Sequence, residues 1–170
     1  MAFQKTVQTE QGFGVPGDIH LNSPTRAESL LIQSGSGQKN IYGYCFTKDA
    51  STNIAKVGGE ISSGRVFAGI LANPKESISY GTEAGTLEPT LNIPDNQHGD
   101  FITMGDVVVK VSTKCAVGDL VVYDTTTGEL STVAAGTATA GAGKAFVPNA
   151  VIYRYPVTAA GGLTVIRLTN

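Results

Sequence analysis

Gly99-Asp100-Phe101-Ile102-Thr103-Met104 runs directly into Gly105-Asp106-Val107-Val108-Val109-Lys110-Val111, and Gly118-Asp119-Leu120-Val121-Val122-Tyr123 follows a few residues later. Each segment opens on Gly-Asp and continues into an apolar, β-branched run. Such runs suit the pleated surface of a sheet better than a helix. The pattern predicts a repeated device: the glycine makes a turn, the aspartate bonds the turn backbone, and a strand begins. Asp124-Thr125-Thr126-Thr127-Gly128 then reads as a hairpin closing onto Glu129 to Val133, with Gly128 as its left-handed residue.

Working outward, Phe146 to Tyr155 and Leu163 to Leu168 read as the last strands, and Ala134 to Gly143 as an exposed, mobile loop of Ala, Gly and Thr. Upstream, Arg65-Val66-Phe67-Ala68-Gly69-Ile70-Leu71 is an apolar strand halted at Asn73-Pro74. Ile41 to Thr47 is aromatic and β-like, and Ile54 to Val57 follows a polar turn at Asp49 to Asn53. Glu76 to Tyr80 alternates, with Ile78 and Tyr80 on one face. Thr82 to Gln97, with Pro89 and Pro94, reads as a long crossing loop. Ser23-Pro24 resembles a helix start. The apolar run at Leu30 to Ile32 is short and ends at Gly35 and Gly37, so a strand is expected there. About ten short strands at hairpin spacing predict an all-β fold, a small β-barrel or a β-sandwich of jelly-roll type.

Composition agrees. Glycine is 21 of 170 residues and charged residues are 15%, against roughly 25% charged in an average soluble domain. The length suits one domain with a real core. Net charge is −2 with no cluster of Lys or Arg, so the cations that neutralise phosphates are lacking and no nucleic-acid partner is expected. No apolar run approaches the roughly 18 residues of a membrane helix, and no membrane partner is expected. The charged-then-apolar pattern of a signal peptide is missing at the start, which points to synthesis and use in a cytoplasm or in an assembly built there. Cys45 and Cys115, the two cysteines, each lie in or beside an apolar run and are expected to be reduced and packed.

Catalytic chemistry is not legible. Asp18-Ile19-His20 offers an acid beside a base, but nothing in the spacing supplies a nucleophile and an orienting group, and a polar turn after Pro16-Gly17 explains it. Asp95, His98 and Asp100 are possible metal ligands but sit beside Pro94 and Gly99, where turn residues are the ordinary reading. Gly12, Gly14 and Gly17 lack the strand before and the helix after that a dinucleotide fingerprint needs. Gly141-Ala142-Gly143-Lys144 lacks the earlier glycine spacing of a phosphate loop, and Ala145 replaces its hydroxyl. No enzyme activity, cofactor or metal is expected.

Residues 1–17 differ from the rest. They are rich in Gln, Thr and Gly, show little periodicity, and end in a rigid Val15-Pro16-Gly17 corner. They read as an extended arm, and residues 18–170 as a single β-rich body. Seventeen extended residues span at most about 55–60 Å. Phe3, Val7, Phe13 and Val15 offer apolar anchors along it, and Pro16 stiffens its end. An arm on a small β-body suits a protein that holds neighbours together.

Gln11-Gly12-Phe13-Gly14-Val15-Pro16-Gly17-Asp18, the Gly118-Asp119-Leu120-Val121-Val122 strand and the closing Ala159-Ala160-Gly161-Gly162-Leu163-Thr164-Val165-Ile166-Arg167-Leu168 together resemble the capsid cement, or decoration, proteins of tailed bacteriophages. The resemblance spans most of the chain without a single diagnostic motif. It implies a non-enzymatic virion protein bound in many copies to the outside of an icosahedral head. Its partners would be the major capsid protein, contacted through Phe3, Val7, Phe13, Val15 and Pro16, and copies of itself as a dimer or trimer. Mild acidity fits an exterior place, since a lumenal protein facing DNA would be basic. A tail or baseplate structural protein shares the composition and the β-body. A small β-barrel ligand-binding module or enzyme would instead show a deep pocket with converging polar groups.

Overall fold

The computed structural model describes residues 12, 14–20, 23–62, 64–73 and 92–169. Its strands are β1 (Arg26–Leu31), β2 (Asn40–Ile41), β3 (Cys45–Asp49), β4 (Ala55–Val57), β5 (Arg65–Leu71), β6 (Asn92–Ile93), β7 (His98–Val111), β8 (Leu120–Asp124), β9 (Leu130–Val133), β10 (Lys144–Arg154) and β11 (Gly162–Leu168). Among the described residues there is no helix, and the all-β expectation holds.

The 14-residue strand β7 is shared by two rings of strands. Its C-terminal half, Gly105–Val111, pairs antiparallel with β11, and its end pairs with β9 through Val111 and Leu130. From β11 the hydrogen bonding continues through β10 and β8 to β9, which returns to β7 and closes a small barrel. The N-terminal half pairs with β1 on one edge and with β5 on the other, and β5 leads on to β3 and β4. Ile32, just past β1, bridges Ala55 of β4, and the Gln33 N–H donates to the Ala55 carbonyl at 2.9 Å. That closes the second ring.

Each ring has its own core. Val107, Val109, Val121, Leu130, Ile152 and Ile166 fill the first, while Ile32, Phe46, Val57, Leu71 and Phe101 fill the second. The wall between them explains the continuous apolar run of β5 and the adjacent apolar pairs Cys45-Phe46 in β3 and Phe101-Ile102 in β7. Successive residues face opposite sides of a strand. Cys45, Ile70 and Ile102 therefore enter the first core, and their neighbours Phe46, Leu71 and Phe101 enter the second. A strand buried on both faces does not alternate. Phe46 and Phe101 pack with ring centroids 5.1 Å apart, and burying either is worth about 1.5–3 kcal/mol.

The Gly-Asp device is corrected at two of its three sites. Gly99-Asp100 and Gly105-Asp106 lie inside β7, because a strand that passes from one barrel to the next needs no turn between them. Gly105 marks the residue where β7 exchanges β1 for β11 as partner. At Gly118-Asp119 the device is present: Gly118 has φ 92°, and the Asp119 Oδ2 accepts the Ala116 N–H at 2.8 Å. The β8–β9 hairpin is also as expected, with Gly128 at φ 74° and the Asp124 Oδ1 accepting the Thr126 and Thr127 N–H groups. β1 forms at the Ser23 to Ile32 segment as a strand, and Ala134 to Gly143 is largely exposed. Within the expected crossing loop, Asn92–Ile93 forms β6 against β2. The Glu76 to Tyr80 strand and the earlier part of that loop lie outside the described residues. Cys45 and Cys115 are free and buried.

Candidate attachment surface

Residues 15–20 dock on β7. Val15 to Asp18 form a turn in which the Asp18 N–H donates to the Val15 carbonyl at 3.0 Å, and the Val15 N–H donates to Asp18 Oδ2 at 3.1 Å. Proline at the second position and glycine with φ 89° at the third match a type II turn. The next residues fill the gap on β7 between β5 and β9. The Gly17 N–H donates to the Val108 carbonyl, the Val108 N–H to the Asp18 carbonyl, and the His20 N–H to the Asp106 carbonyl, each at 2.8 Å. The Asn73 N–H, just past β5, donates to the Gly17 carbonyl at 2.9 Å. Gly14 lies on the outer face of the first barrel, where a Cβ would stand 3.0 Å from Val108 Cγ2. Val15 and Ile19 keep their side chains exposed, and Pro16 is half-buried. Of the five arm residues singled out from the sequence, the structure places Val15 and Pro16 here. Phe3, Val7 and Phe13 lie outside the described residues.

A polar cluster borders this arm root. Asp106 is 2% exposed, and its carboxylate accepts from Arg167 Nε at 2.7 Å and Nη2 at 2.8 Å, a two-pronged pairing across β7 and β11. The Arg167 guanidinium holds the Asp106 carboxyl below its usual range, and the carboxylate raises the Arg167 pKa in return. Arg167 also lies 3.5 Å above the centre of the Tyr153 ring. A register shift between Ile152 and Arg154 turns Tyr153 and Arg154 toward the same outer face. The Arg154 guanidinium stands 5.0 Å from the Tyr153 ring centre, and hydrogen bonds from Arg154 and then Arg167 lower the phenol pKa. His20 and Tyr155 pack edge to face, centroids 6.3 Å apart. Ser23, Pro24, Met104 and Gly105 line a cavity of about 350 Å³ beside the Asp106–Arg167 pair. Its polar groups are already committed, since the Ser23 Oγ accepts the Asp106 N–H at 3.1 Å.

The other residues with possible chemistry have structural partners. Asp95 accepts from the Ser34 and Gly35 N–H groups and from Asn40 Nδ2. His98 and Asp100 are on β7, opposite Leu31 and Ser29. Among the described residues no group of three or more His, Cys, Asp or Glu is placed to hold a metal ion. Gly141 to Lys144 form a turn, and Lys144 Nζ donates to Ser131 Oγ at 2.9 Å. The Asp106–Arg167–Tyr153 cluster is absent from the sequence expectations, because Asp106 reads there as a turn residue. The available signal was Arg167 itself, the only cation in the apolar run from Leu163 to Leu168.

A family model described as "Structural cement protein (E217 gp24/Pam3 gp6)" matches residues 3–169. Among solved structures, a chain described under "The capsid of Myoviridae Phage XM1" superimposes with a TM-score of 0.63 and 20% identity, covering 100% of this chain and 99% of that one. At that identity the likeness shows the fold alone. No curated protein matches the chain. The family match runs over nearly the whole chain, both barrels and the closing strand included, and the protein therefore belongs to the structural cement proteins of phage capsids.

Proposed function

We propose that the protein binds the outer surface of an icosahedral phage head and staples neighbouring major capsid subunits, with residues 1–17 reaching from the body onto an adjacent subunit. The observation that carries this reading is the arm root, bonded into the strand that both barrels share. A segment meant to transmit a pull has its anchor there. Net charge of −2 fits the exterior of a shell rather than its DNA-facing side. No catalytic step is part of the proposal.

One arm binds weakly by itself. Each of Phe3, Val7, Phe13 and Val15 contributes about 1.5–3 kcal/mol if buried. Ordering the backbone costs about 1–2 kcal/mol per residue, over a segment several times longer than its anchors. Firm attachment therefore needs a contact from the body, and self-association as a dimer or trimer, to add to the arm.

Heads lacking this protein provide the test. Full-length protein is expected to decorate them and to raise the temperature at which they break. Deleting residues 1–11 spares every described hydrogen bond of the arm root, so the body should melt as before while occupancy and protection fall. Full-length protein that binds no heads would refute the cement reading on the head exterior. Full occupancy and protection by the truncated form would refute the arm's role.

A further inference from the structure

We infer that the outward face of β7, β11 and β10, centred on Arg154 and Tyr153, is the body's own contact with the shell, and that it takes a carboxylate-bearing surface of a capsid subunit. This deepens the cement reading and rests on it.

Charge is the first argument. Lys110, Arg154 and Arg167 face outward here against the carboxylates of Asp106 and Asp18, so the face is positive on a chain of net charge −2. Arg167 is committed to Asp106, whereas Arg154 has no carboxylate partner among the described residues. Arg154 is exposed and held against Tyr153, so little of its freedom remains to be lost on docking. An arginine and a tyrosine side by side are the residue types that most often dominate an interface. A planar guanidinium pairs with a carboxylate through two hydrogen bonds, which selects an acidic partner over an apolar one.

Position is the second argument. Gly14 lies against Val108 of this same face, and Val165, which pairs with Val108, is fully buried although it belongs to neither core. Residues 14–17 therefore lie along this face. A capsid subunit engaged by residues 1–17 would meet Arg154 on this face, whereas Lys56, on β4 of the second barrel, is not part of it.

The experiment compares Arg154→Glu with Lys56→Glu, the same charge change at the one exposed residue of β4, using full-length chains and heads lacking the protein. Both variants are expected to melt like the parent. Arg154→Glu is expected to bind heads at least about tenfold more weakly, since like charges juxtaposed across an interface repel. Its binding should also fall less steeply with salt, whereas Lys56→Glu should match the parent. Parent-like binding by Arg154→Glu overturns the inference, and equal losses in both variants overturn it too, as a general charge effect. A shift in the oligomeric state of free Arg154→Glu assigns the face to a second copy and overturns the capsid partner. Failure of the parent to bind heads refutes the cement reading instead, so the two failures are distinguishable.

Discussion

Gly118 and Gly128 have similar backbones and different surroundings, so alanine at each separates conformational strain from crowding. Their φ angles are 92° and 74°, in the left-handed region where a Cβ is strained by about 1–2 kcal/mol. At Gly118 nothing lies within 4 Å of an added Cβ, and that strain is the whole cost. At Gly128 the new atom would stand 2.6 Å from the Cys45 carbonyl oxygen and 2.8 Å from Val57 Cγ2. The hairpin cannot retreat, because the Cys45 N–H donates to the Gly128 carbonyl at 3.0 Å and ties it to β3. Overpacking of this kind adds about 1–3 kcal/mol. Gly118→Ala is therefore expected to cost about 1–2 kcal/mol and Gly128→Ala about 2–5 kcal/mol. In a chain of this length each kcal/mol lowers Tm by about 2–4 °C. Thermal melts by circular dichroism, with urea midpoints as a check, give the order. Equal losses, or a larger loss at Gly118, would refute the claim that the β8–β9 hairpin is clamped against the second barrel.

The cysteines should react in order, since Cys45 is fully buried with its thiol pKa pushed up by burial, while Cys115 is 7% exposed beside a groove lined by Thr113, Val133 and Val157. A thiol reagent should reach Cys115 first in the folded chain and both after denaturation without reductant; Cys45 reacting first, or neither reacting once unfolded, contradicts this. Asp106 has its carboxyl lowered by the Arg167 hydrogen bonds, so its stabilisation is complete above the unfolded value near about pH 4 and is lost as pH falls through the lower folded value. Asp106→Asn should lower Tm at pH 7 and flatten the acid decline, leaving the part due to carboxyls such as Asp49, held at about 2 by its Ser51 and Thr52 hydrogen bonds; parallel curves for parent and variant would show that the pair does not contribute.

The strands were legible because their signal is local. β-branched runs, the Asp124 to Gly128 hairpin and the Gly118-Asp119 turn each declare themselves within about ten residues. The shared strand was not, because Gly-Asp is the same dipeptide whether it turns the chain or sits inside a strand. What differs at Gly105 is the exchange of β1 for β11, partners more than 60 residues away on either side. The two cores were hidden for a related reason. An unbroken run such as Phe67 to Leu71 shows that both faces are buried but not that they are buried in separate barrels. Arg167 and Asp106 are 61 residues apart, and nothing in either neighbourhood specifies the other. Residues 1–17 stand out in the sequence only as a break in composition. The bonding of residues 17–20 to β7 was not legible, since they pair through backbone groups that any sequence possesses.

If residues 1–17 reach a neighbouring subunit as proposed, that bonding has a mechanical consequence. Residues 17–20 lie antiparallel beside Asp106 to Val108, so a pull along the arm loads three backbone hydrogen bonds in shear, together rather than one after another. Shearing them also means dragging on β7, whose opposite edge is held by seven paired residues of β11 and whose far half is held by β1. The Asp106–Arg167 pair joins β7 to β11 at the level of the arm root, and Asn73 fastens Gly17 to the end of β5. Tension on this segment would therefore reach both barrels through one strand. A strand confined to a single barrel would supply an anchor held by that barrel alone. Sharing β7 would let the proposed attachment draw on the pairing of both barrels.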